Sequence, residues 1–108
     1  MTDYKVGRRK WASFTIFEQM GNIYSEVGRS FSAQKLNDTK AKDAAMVRAI
    51  DLFDATTEEL VKNKSPKTKE VLRAKEMYLK TLFDGDEIQR SEIEKYFMQF
   101  AIAARLHK

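Results

Sequence analysis

Few residues here have the type and spacing to carry chemistry. The chain has one histidine, His107, next to its C-terminus, and no cysteine, so thiolate nucleophiles, disulfides and cysteine metal sites are excluded. Carboxylates are plentiful, but none forms the Glu-x-x-His pair that a di-iron bundle needs. There is no glycine-rich phosphate loop and no serine elbow. Arg105-Leu106-His107 is too short for the arginine-to-histidine spacing of helical ribonucleases. A stripe of Glu18, Asn22, Glu26 and Arg29 at helical spacing is the one arrangement that could line a catalytic cleft. The expectation is therefore a non-enzyme, with no catalytic residue, no metal site, no cofactor and no small-molecule substrate.

Chemistry of contact is better represented. The net charge is +4, from 20 basic and 16 acidic side chains, and its distribution is uneven. Lys5, Arg8, Arg9 and Lys10 stand near the N-terminus beside Trp11, and Lys62, Lys64, Lys67, Lys69, Arg73, Lys75 and Lys80 follow in the second half. Asp84, Asp86, Glu87, Glu92 and Glu94 then reverse the sign. Arg8, Arg9, Lys10, Lys62, Lys64, Lys67, Lys69 and Arg73 are the candidate nucleic-acid contacts, since cations that neutralise phosphates bind with salt-dependent affinity. Trp11 could stack on a base or fold onto the domain. The alternative is an ordinary solvated helix face, since Glu70 and Glu76 dilute the second cluster.

These residues need elements to hold them. One proline and four glycines in 108 residues leave few breaks, and apolar residues recur at three and four, so the spacing predicts helices. The first runs from about Thr15 to Leu36, opened by Thr15 and Glu18 at capping-box spacing, with Ile16, Phe17, Met20, Ile23, Tyr24, Val27 and Phe31 inward. The second, about Lys40 to Lys62, turns Met46, Ala49, Ile50, Phe53, Thr57, Leu60 and Val61 inward, with Asp54 at the edge of that face. The third follows Ser65 and Pro66, buries Val71, Leu72, Tyr78, Leu79, Leu82 and Phe83, and stops at Gly85. Ser91 and Glu94 predict the start of the fourth, which runs to about Leu106 with Ile93, Tyr96, Phe97, Phe100, Ala101 and Ala104 on its core side. The expected fold is all-α, an antiparallel up-and-down four-helix bundle over residues 13–108 behind a basic tail of residues 1–12. No apolar run is long enough for a membrane span or a signal peptide, so the expected location is cytoplasmic.

Two stripes suggest association. Gly21, Ser25, Gly28 and Ser32 let another helix come close, within the chain or from a second copy. Met98, Ile102 and Leu106 give the last helix a second apolar strip, which marks either an interface or a helix buried on all sides.

Phe17-Glu18-Gln19-Met20-Gly21-Asn22-Ile23-Tyr24-Ser25-Glu26-Val27-Gly28-Arg29, Arg48-Ala49-Ile50-Asp51-Leu52-Phe53-Asp54, Lys69-Glu70-Val71-Leu72-Arg73 and Tyr96-Phe97-Met98-Gln99-Phe100 with Ala103-Ala104-Arg105 resemble a group of small uncharacterised bacterial helical proteins. The likeness covers about residues 14 to 105. That group usually has tryptophan before the Glu-Gln pair and glycine where Tyr24 stands. The resemblance implies one domain and a bacterial or phage origin, and supplies no activity and no functional residue. By architecture alone the chain is also similar to other small basic helical bundles. These include the ring-forming accessory protein of diversity-generating retroelements and the family associated with an insert in ribosomal RNA, a likeness that does not imply function.

Two readings of function stay open. One is a non-catalytic binding or accessory protein, self-associating as a homo-oligomer, whose basic surface contacts nucleic acid or a nucleoprotein. The other is a regulatory module that binds a single protein partner, an enzyme or toxin, by helix packing.

Overall fold

A computed structural model describes residues 5–106. Five helices follow one another: α1 (Arg8–Ala12), α2 (Ile16–Lys35), α3 (Thr39–Lys62), α4 (Thr68–Asp84) and α5 (Glu87–Leu106). No strand occurs among the described residues.

Local chemistry sets the boundaries. At the start of α2 the Thr15 hydroxyl accepts from the Glu18 N–H at 3.1 Å, while the Glu18 carboxylate accepts from the Thr15 N–H at 2.9 Å, so two orphan donors are satisfied reciprocally. Asp38 caps α3 by accepting from the Ala41 N–H at 3.0 Å. α2 and α3 end alike. Asn37 (φ 59°) and Lys64 (φ 52°) enter the left-handed region, and the next N–H turns back to a carbonyl five residues earlier: Asp38 to Ala33 and Ser65 to Leu60, both at 2.9 Å. Gly85 ends α4, where a Cβ would stand 2.6 Å from the Thr81 carbonyl oxygen.

α5 begins one turn before its expected start. Asp86 and Gln89 form the reciprocal cap, with the Gln89 N–H donating to Asp86 at 2.8 Å and the Asp86 N–H to Gln89 at 2.9 Å. Ser91 and Glu94 therefore lie inside the helix and cap nothing.

The long helices pack in a ring, α2 on α3, α3 on α4, α4 on α5 and α5 back on α2. This is the all-α bundle of four main helices that the periodicity implies. α2 is its spine, burying Met20, Ile23, Val27 and Phe31 against α3 and α5. Across the core runs a file of rings, Phe31 to Tyr78 (5.7 Å), Tyr78 to Phe53 (6.1 Å) and Phe53 to Phe97 (5.8 Å between centroids). The fully buried Tyr78 hydroxyl donates to Ser30 Oγ at 2.8 Å, and Ser30 passes a hydrogen bond to the Val27 carbonyl at 2.8 Å. Its apolar surroundings push the Tyr78 phenol up to about 12.

Three residues expected inside are outside: Val61, Leu72 and Phe83 are exposed. Each lies on the flank of its helix turned from the ring, where the apolar stripe is wider than the surface available to cover it. α5 is likewise not the central helix, since only Ile93 and Phe97 on it are fully buried.

Candidate interaction surfaces

From Gly7 on, the N-terminal segment is docked onto α3. The indole N–H of Trp11, buried to 3% exposure, donates to Thr56 Oγ1 at 2.9 Å, and Gln19 Nε2 donates to the Trp11 carbonyl at 2.9 Å. Trp11 is thus a core residue with no face free for a base. Asp51, also buried, accepts from the Val6 N–H at 2.7 Å and pairs with Arg8 at 3.0 Å, while Arg8 also reaches Glu58 at 3.2 Å. Burial opposes the Arg8 charge, but the hydrogen bonds with Glu58 and Asp51 outweigh it and hold its pKa above the ordinary value. Arg8 is committed within the chain.

The other cations are solvent-exposed. Lys67 sits over the Phe17 ring at 5.8 Å, so the start of α4 meets the start of α2 at one end of the bundle. Arg9, Lys10, Lys62, Lys64, Lys67 and Lys69 are all exposed. The nearby carboxylates have other partners: Glu18 in the α2 cap, Glu58 with Arg8, Glu59 with the Asn63 amide, and Glu70 with the Tyr96 hydroxyl at 3.0 Å. Among the described residues Arg9, Lys10, Lys62, Lys64 and Lys69 have no carboxylate within 4.0 Å. Arg73, one turn along α4 from Lys69, also lines a groove between α4 and α5. The opposite end holds Asp38, Asp84, Asp86 and Glu87, the last paired with Lys35 at 3.2 Å.

The carboxylates of the Glu18, Asn22, Glu26 and Arg29 stripe have separate engagements. Glu18 is a capping residue, and Glu26 is buried with Oε2 bonded to Arg48 at 3.0 Å and paired with Arg29 at 3.2 Å. Glu26 Oε1 has no hydrogen-bond partner. Asp54 pairs with Lys75 at 2.8 Å. No group of three or more carboxylate or histidine ligands that could hold a metal occurs among the described residues, and no helix there is long and apolar enough to cross a membrane. His107 lies outside the described residues.

The small-residue stripe splits in two. Gly21 faces α5, where a Cβ would meet Ala101 Cα at 3.3 Å, so its place in the chain is a helix crossing. A Cβ on Gly28 would meet nothing within 4 Å, and Ser25 is exposed, its hydroxyl 3.5 Å from the Gly21 carbonyl. Met98, Ile102 and Leu106 are exposed on the outer face of α5.

The groove between α4 and α5 was not foreseen from the residues. It encloses about 480 Å³, with Ala74, Met77, Thr81, Ile93, Tyr96 and Phe97 along it. Burial, with Glu70 adding to it, pushes the Tyr96 phenol up to about 12. A signal existed: Ala74, Met77 and Thr81 widen the apolar stripe of α4 beyond Val71, Tyr78 and Leu82. No protein-family model, curated protein or solved structure matches this chain.

Proposed function

We propose that the chain is a non-catalytic accessory protein that contacts nucleic acid or a nucleoprotein through its exposed cations and associates with copies of itself. The observation that supports the reading is that Arg9, Lys10, Lys62, Lys64 and Lys69 are all exposed and, among the described residues, have no carboxylate within 4.0 Å. Free cations exposed to solvent are what a phosphate backbone attracts. Trp11 is buried and offers no stacking face, so binding should follow backbone charge rather than base identity.

The test is a mobility-shift titration with short DNA and RNA duplexes. Five phosphate contacts give a slope of about −4 to −5 in log affinity against log salt, so affinity should fall several hundred-fold between about 50 and 200 mM salt. Absence of binding at the lower salt overturns the nucleic-acid reading. Binding of a protein partner that is indifferent to salt, and to reversal of Lys64, Lys67 and Lys69, would favour the regulatory module instead.

A further inference from the structure

The α4–α5 groove and the outer strip of α5 are two exposed apolar surfaces on one chain. The α4 residues lining the groove run from Glu70 to Asp84, a length of about 21 Å at 1.5 Å per residue. The groove is also open, with Met77 at its middle 50% exposed, whereas small-molecule sites enclose most of their ligand. A row of apolar side chains from a helix laid across the opening fits both facts.

Met98, Ile102 and Leu106 are such a row, one per turn along about 12 Å and exposed to 40%, 46% and 77%. Lys95 and Arg105 flank them, and among the described residues neither has a carboxylate partner. The groove has Glu70 and Asp84 toward its ends and Glu92 on its α5 edge, with Arg73 and Lys80 on its α4 edge. The strip thus carries two cations, while the groove carries three carboxylates against two cations, so the two surfaces are opposite in net charge.

We propose that Met98, Ile102 and Leu106 of one copy seat in the α4–α5 groove of a second copy. This gives a molecular form to the self-association in the preceding reading, on which it rests. The contact joins two different surfaces, so each copy carries both a donor strip and a receiving groove.

That asymmetry supplies the test, made on the full chain without nucleic acid. Met77→Glu blocks the groove and keeps the strip; Ile102→Glu does the reverse. Both residues are about half exposed, and circular dichroism melts verify that each variant is folded. Met77→Lys and Met98→Asp serve as second variants should either fail to fold. In sedimentation velocity across a concentration series, the unaltered chain is expected to exceed the mass of one chain, each variant alone to remain at one chain, and an equimolar mixture to double to a one-to-one pair. A monomeric unaltered chain overturns both the contact and the self-association. An unaltered chain that associates, with single variants that still associate or a mixture that stays monomeric, overturns the groove contact alone and leaves self-association standing.

Discussion

Trp11 and Thr56, 45 residues apart, meet through a hydrogen bond from the indole N–H to the threonine hydroxyl at 2.9 Å, and both side chains are buried. That bond fixes a five-residue helix, too short to persist alone, onto the flank of α3.

Thr56→Val should therefore cost about 1–3 kcal/mol, because it keeps the shape but leaves a buried N–H unpaired. Urea denaturation measures the loss, and the fluorescence of the single tryptophan should shift to the red if α1 detaches. An unchanged midpoint would mean that the docked segment contributes nothing to stability.

The two helical glycines of α2 should respond oppositely. Gly28→Ala adds a methyl in open space and should gain up to about 1 kcal/mol of helix propensity. Gly21→Ala should lose that gain against Ala101, which can yield only if α5 moves. Thermal midpoints should place Gly28→Ala above the unaltered chain and Gly21→Ala at or below it; the reverse order would contradict the close α2–α5 crossing.

Alkaline titration should expose Tyr78. Its phenol titrates near 12 when folded against 10.0 when free, so between those values the unfolded chain releases a proton that the folded chain keeps. Stability is unaffected below the lower value and falls as pH rises through the window, by up to about 2–3 kcal/mol. Tyr96 moves the same way but is partly solvated and contributes less. Denaturation midpoints against pH check the slope, and Tyr78→Phe should flatten most of it.

Adjacent arginines should separate stability from binding. Arg9→Gln should leave stability within about 0.5 kcal/mol and reduce the salt slope of nucleic-acid binding by about 0.9. Arg8→Gln removes the cation from buried Asp51 and should cost about 1–3 kcal/mol while leaving that slope unchanged. Equal effects of the two on the slope would return Arg8 to the contact surface.

Much of the fold was legible because it is written locally. Thr15 and Glu18 announce the start of α2, Gly85 ends α4, and the three-and-four spacing of Met20, Ile23, Val27 and Phe31 gives the inner face of the spine. The misreadings share a cause. Ser91 and Glu94 have the same spacing as a cap, but Asp86 and Gln89 take the role one turn earlier, and only one pair can stand at the helix end. Glu26 reads as a solvent residue on its own helix; Arg48, from α3, supplies the partner that lets it be buried. Leu72 and Phe83 satisfy a helical period, yet no neighbour covers their side of α4. The interaction surfaces depend still more on assembly. Sequence lists the cations in two separate clusters, and which of them keep a carboxylate partner depends on how the helices pack. The groove exists because α5 packs chiefly on α2 and less on α4, a matter of spacing between elements that no single element encodes.

The seating of α5 against α2 also bears on the order in which the chain finds its shape. α2 and α3 are joined by a short connector and can pair early as a hairpin, but the approach of Ala101 to Gly21 waits for the chain to return across the whole bundle. Loop-closure entropy favours this seam forming after the α2–α3 hairpin. Weakening it should raise the unfolding arm of a chevron more than it slows refolding.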